Sequence, residues 1–237
     1  MKTIDVCLSP DLMHLYQVSD RTVVVVDILR ATSCMTTALA HGIKSILPVR
    51  SLNEALALKS DDVYTAGERD GKKVEGFDLG NSPFEYMQDY LKGKSIAFTT
   101  TNGTQAIAKS DGAREILVGS FLNLQAIVDY LRKTPDNILV VCAGWKGKFN
   151  LEDTLFAGAV VDGLAGSFEP ECDSALAAAQ LYNTAKNDLY GFLKNSSHVK
   201  RLGRLGIEKD ISFCLTHDTY GIVPILKDGA LTVSVTP

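Results

Sequence analysis

The chain has 237 residues, 46% of them apolar and 22% charged, enough to bury a core without help from disulfides. Its 24 basic and 28 acidic side chains leave a formal net charge of −4, which argues against nucleic acid as the main partner, because phosphate backbones demand a basic face. No stretch reaches the roughly 18 apolar residues of a membrane span, and the opening MKTIDVCLSP lacks the apolar core of a secretory signal. Five scattered cysteines, with no CxxC or Cys/His spacing, predict free thiols in a reducing cytoplasm.

In chain order, β-branched runs predict strands over residues 4–8, 23–27, 45–49, 63–66, 95–99, 115–118 and 138–142. Helical periodicity falls between them, over 34–40, 52–59, 83–91, 105–108 and 123–132. Beyond Cys142 the pattern predicts an apolar helix over 152–164 and a long one over 172–193, where Ala175, Ala179 and Ala185 make a face suited to close packing. The tail returns to strands over 211–215 and 231–235, and residues 195–206 are the nearest thing to a linker. Strands alternating with helices predict a three-layer α/β/α fold around a largely parallel or mixed sheet. The expected organisation is one domain over residues 1–237, with two lobes around a cleft as an open arrangement.

Ligands of such sheets bind beyond the carboxyl ends of strands, and three strand ends here are unusually polar. The first, VVVVDILRATS, runs from four valines into Asp27, Arg30, Thr32 and Ser33. A carboxylate beside hydroxyls suits Mg²⁺, which takes oxygen ligands and keeps waters; the structural alternative is a helix cap and an Arg30–Asp27 pair. The second, TTTNGT, offers Thr100, Thr101, Asn102, Gly103 and Thr104 as an anion cradle, or else an Asn-Gly turn with Thr104 as an N-cap. The third, CAGWKG, carries Gly144 and Lys146 and leads to Asn150, Glu152 and Asp153, which read equally as a helix start or as metal ligands. A charged, glycine-rich loop over 67–82 adds Glu68 and Arg69. Cys34 and Cys142 read as inert packing, and His198 and His217, far from these strand ends in sequence, are given no catalytic role.

Together, VVVVDILRATS, GFDLGNSP, TTTNGT, CAGWKG with EDTLFAGAVVDGL, and DISFCL near the tail resemble the 2-phosphosulfolactate phosphatase family, in its order and over nearly the whole chain. The resemblance implies a Mg²⁺-dependent phosphomonoesterase that converts 2-phospho-3-sulfolactate to sulfolactate and phosphate, a step towards coenzyme M. It implies catalytic roles for Asp27, Arg30, Glu68, Asn102 and Glu152. Asp27, Glu68, Glu152 and Asp153 become the expected Mg²⁺ ligands. Substrate contacts are expected from Arg30, Thr32, Ser33, Arg69, Asn81, Ser82, Thr100, Thr101, Gly103, Thr104, Gly144 and Lys146. The expected partner is a small anionic phosphorylated molecule, with no nucleic acid and no membrane, and a homodimer is an open assembly. Two rivals stand beside this reading: a non-catalytic binder of small phosphate or sulfonate anions, and a phosphatase for another small acid.

Overall fold

The computed structural model describes residues 2–233. Its strands are β1 Thr3–Cys7, β2 Arg21–Val26, β3 Ser45–Pro48, β4 Val63–Arg69, β5 Lys72–Lys73, β6 Ser95–Thr99, β7 Glu115–Gly119, β8 Asn137–Cys142, β9 Glu169–Pro170, β10 Pro224–Lys227 and β11 Ala230–Val233. Its helices are α1 Ala31–Ala40, α2 Leu52–Ala57, α3 Gly103–Lys109, α4 Leu124–Lys133, α5 Leu151–Gly163, α6 Asp173–Ala185, α7 Leu189–Leu193, α8 Ser197–Gly203 and α9 Glu208–Cys214. Among the described residues no helix is long and apolar enough to cross a membrane.

The strands form one mixed sheet in the order β5-β4-β6-β3-β11-β10-β7-β2-β8-β1-β9. Two parallel blocks, β7-β2-β8-β1-β9 and β4-β6-β3, are joined by the antiparallel hairpin β10-β11, which meets β7 at Ile225 opposite Leu117 and β3 at Leu231 opposite Ile46. The hairpin makes the blocks run in opposite senses. The carboxyl ends of β2 and β6 nevertheless meet, since Asp27 and Asn102 border one cavity.

The four valines of β2 divide between two cores. Val24 and Val26 join Ile4, Val140, Leu155 and Phe156 on one face, while Val23 and Val25 join Met35, Ile46 and Phe98 on the other. A strand covered on both faces must be apolar at every position. Helix α1 lies inside the second core with residues 31–39 all buried, packed on β3, β7 and β10. Helices α5 and α6 pack together over the first core, with Ala175, Ala178 and Ala185 in it.

Four expectations are corrected. The helix over 83–91 is two short 3₁₀ turns, Pro83–Met87 and Asp89–Leu91. The long helix over 172–193 breaks after Ala185, because Asp188 accepts the Gly191 N–H at 2.8 Å and starts α7. The strand over 211–215 is helix α9, with Asp210, Ile211 and Cys214 buried at helical spacing; a short apolar run does not by itself separate the two. The linker over 195–206 contains α8, whose His198, Val199 and Leu202 are buried. The tail strand runs over 230–233, and residues 234 and 235 of that expectation lie outside the described residues.

Candidate active site

The turn after β2 is wound tightly by its own hydroxyls. Thr32 Oγ1 accepts the Asp27 N–H at 3.0 Å, and the Thr32 N–H returns to the Asp27 carbonyl at 3.0 Å. Ser33 Oγ donates to the Ile28 carbonyl at 2.9 Å. Asp153, in the first turn of α5, takes the Ile28 N–H on one oxygen at 2.9 Å and the Gly144 N–H on the other at 3.1 Å, tying the ends of β2 and β8 together. Gly144 has φ +57, and a Cβ there would stand 2.3 Å from the Lys148 carbonyl oxygen, so the CAGWKG turn needs glycine at this point. With the hydroxyls and Asp153 committed to backbone, the Asp27 carboxylate is the group this turn presents.

The second block meets it closely. A Cβ on Gly103 would lie 2.9 Å from an Asp27 carboxylate oxygen and 2.8 Å from the Ala31 Cβ, so only glycine lets α3 begin against Asp27. Between the blocks lies a cavity of about 20 Å³, bordered by Asp27, Arg30, Glu68, Asn81, Asn102, Trp145, His198 and Arg201. That is room for an ion or a water.

Its charged walls have distinct partners. Arg30 is buried and pairs with Asp210 of α9, not with Asp27, and its other nitrogen donates to the Gly71 carbonyl at 3.3 Å. Glu68 accepts the Gly71 N–H at 2.5 Å. Glu152, wholly buried, pairs one oxygen with His198 Nδ1, while its other oxygen has no hydrogen-bond partner. Arg201 stacks on the Trp145 ring at 3.8 Å, and the Lys146 ammonium lies 4.5 Å from the same ring. Lys146 also reaches Asp70 at 3.7 Å, linking the two loops above the cavity.

Other expected contacts are spent elsewhere. Thr100 and Thr104 bond each other reciprocally, at 3.2 and 3.3 Å between hydroxyl and N–H, and are buried. Arg69 donates to the Glu68 carbonyl at 2.6 Å and to Thr99 at 3.3 Å. Thr101, Ser82, Arg69 and Lys146 do not border the cavity, and neither do the side chains of Thr32 and Ser33. Cys34 and Cys142 are fully buried, and burial pushes both thiols well above their ordinary range, so neither is a nucleophile in this state.

Acidic crowding dominates the electrostatics. Burial pushes the Asp27 carboxyl up to about 7; the nearby Glu68 and Glu152 push the same way, and His198 opposes them. Asp153 is driven well above its ordinary range by burial and by Glu152 and Asp27. Burial lowers Arg201, against the pull of Glu152, Glu68, Asp70 and Asp27.

Among the described residues, no group of three His, Cys, Asp or Glu side chains forms a ready-made metal centre. The donors around the cavity nevertheless suit Mg²⁺, which is commonly held by one or two carboxylates with waters and substrate phosphate. Asp27 and Glu68 border the cavity, and the buried Asn81 Oδ1 beside them has no hydrogen-bond partner. A divalent cation would relieve both the crowding of acids and that orphaned oxygen.

Sequence reasoning missed His198, Arg201, Trp145 and Asp210. Trp145 lay inside a quoted motif, and Asp210 opens DISFCL, a stretch read as a strand. No local signal marks α8, whose value comes from where the chain returns. A larger groove of about 780 Å³ runs along α4 between Arg114 and Tyr220, but no polar strand end opens into it. The smaller cavity, with its convergent charges, is the stronger candidate.

Known proteins resemble the chain over nearly its whole length. A family model described as 2-phosphosulpholactate phosphatase matches residues 7–229. A protein of Thermotoga petrophila named probable 2-phosphosulfolactate phosphatase is 45% identical over 234 residues, covering 99% of this chain and 100% of its own. Proteins of the same name from Caldanaerobacter subterraneus subsp. tengcongensis and Clostridium acetobutylicum are 44% and 38% identical, covering 91% and 96% of this chain and 91% and 99% of theirs. The chain belongs to the 2-phosphosulpholactate phosphatase family.

Proposed function

We propose that this protein is a Mg²⁺-dependent phosphatase that hydrolyses 2-phospho-3-sulfolactate to sulfolactate and phosphate. The observation that carries the reading is a cavity bordered by two carboxylates, Asp27 and Glu68, and by two guanidiniums, Arg30 and Arg201. The names of the relatives support the substrate. Phosphoryl transfer asks a protein chiefly for positioning and charge stabilisation, which a site lined by both charges supplies.

Mg²⁺, held by Asp27 and Glu68 with the Asn81 amide oxygen, would neutralise charge on the phosphate when bound. The chain's own groups do the rest. Arg30, fixed by Asp210 and the Gly71 carbonyl, brings positive charge to the cavity with little freedom to move. Arg201 has no ion pair among the described residues and lies on an aromatic face, so its donors remain for an incoming carboxylate or sulfonate. Asn102 begins α3 without using its side chain as a cap, which leaves its amide for ligand oxygens. The cavity is too small for a three-carbon phosphorylated acid, so its walls must open to admit one.

The test is phosphate release from a panel of phosphorylated hydroxy acids, with Mg²⁺ and after chelation. The expected result is turnover of 2-phospho-3-sulfolactate that stops on chelation and returns with Mg²⁺. Tight binding of the panel without any phosphate release would favour a binding protein instead.

A further inference from the structure

We propose that His198 delivers a proton to the departing oxygen when the ester is cleaved, and that Glu152 is its positioning residue; this rests on the phosphatase reading above. His198 is buried on α8, with Nδ1 against a carboxylate oxygen of Glu152 and 3.3 Å from the Asn150 side-chain amide. Glu152 lies in the first turn of α5, so it holds one edge of the ring. Both side-chain hydrogen bonds of His198 among the described residues use Nδ1 and none uses Nε2, and the ring borders the same cavity as Asp27 and Arg30. An imidazole with one nitrogen on a carboxylate has its orientation set, and its other nitrogen is the one offered to a ligand.

The chemistry of the substrate class supplies the need. The ester oxygen of a phosphorylated secondary alcohol would otherwise leave as an alkoxide, which is far more basic than water tolerates at neutral pH. As water attacks, its oxygen forms the new bond to phosphorus and the bond from phosphorus to the ester oxygen breaks, its electron pair staying on that oxygen. The ester oxygen takes the proton from Nε2 and leaves as the alcohol. The attacking water brings two protons: one stays on the phosphate, and the other returns through solvent to the imidazole. Among the cavity's other groups, Asp27 and Glu68 are the acids proposed to hold Mg²⁺, and the arginines do not give up protons.

The test compares wild type with His198→Ala on two esters in Mg²⁺: 2-phospho-3-sulfolactate, and p-nitrophenyl phosphate, whose phenolate leaves without a proton. The alkyl ester should lose about 100-fold or more in kcat, and the aryl ester less than about tenfold. Retained aryl turnover also reports a folded site. Glu152→Gln, which keeps the shape and removes the charge, should show the same selectivity with a smaller loss, and it carries the test if His198→Ala does not fold. Equal losses on both esters, or no loss on the alkyl ester, would overturn the proposal. A wild-type protein inactive on both esters would instead overturn the phosphatase reading, and this role with it.

Discussion

In the turn after β2, Thr32 and Ser33 spend their hydroxyls on the backbone of Asp27 and Ile28, and Asp153 spends both oxygens on the backbone of Ile28 and Gly144. Helix α8 does the opposite. It stands in a stretch with little local character, yet it brings an imidazole and a guanidinium to the cavity. The difference lies in what each segment has to solve. A buried turn at the end of a strand must satisfy its own N–H and carbonyl groups, and nearby hydroxyls are the cheapest partners. A helix satisfies its backbone internally, so its side chains are free for other work.

The comparison can be broken at the point where the two regions are joined. Asp210, just beyond α8, pairs with the buried Arg30 of the turn. Asp210→Ala leaves that guanidinium buried without its carboxylate, which should cost about 3–5 kcal/mol of stability and lower the melting temperature by roughly 10 °C. A thermal melt within a degree or two of wild type would mean that Arg30 reaches water and that the regions are not clamped. A smaller effect is expected on α8 itself. Arg201→Ala should raise KM for a substrate with several anionic groups about tenfold, near the ~1.5–3 kcal/mol of a charged hydrogen bond, and affect an aryl phosphate less. Equal effects on both would assign Arg201 to the phosphate. The smallest change belongs to the turn: Ser33→Ala removes one donor to the Ile28 carbonyl and should cost about 1 kcal/mol in denaturant unfolding. A large loss of turnover in that folded variant would restore Ser33 to the site.

Much of the architecture was legible because it follows from periodicity. Four consecutive β-branched valines suit a strand covered on both faces, and β2 is such a strand. The polar ends of β2, β6 and β8 converge in the structure, since Asp27, Asn102 and Trp145 border one cavity. What could not be read was which polar groups face the cavity. Thr100 and Thr104 look like an anion cradle in sequence, yet each satisfies the other. The pairing of Arg30 with Asp210 spans 180 residues, and that of Glu152 with His198 spans 46. Contacts at such separations are set by how the chain returns over the sheet, which local patterns do not encode. Helix α9 escaped for a simpler reason: five residues of mixed apolar character suit a strand as well as a helical turn.

The central claim is that Asp27, presented by the hydroxyl-wound turn, does its work in phosphate ester hydrolysis. The most direct measurement is steady-state phosphate release from 2-phospho-3-sulfolactate by Asp27→Asn beside wild type, in Mg²⁺, with a thermal melt to show that both are folded. The replacement keeps the size of the side chain and should spare the fold, while removing a charge that acts in the transition state. The account predicts a loss of at least ~100-fold in kcat. A folded variant with an unchanged rate would contradict it and leave Asp27 as a buried acid with a structural task.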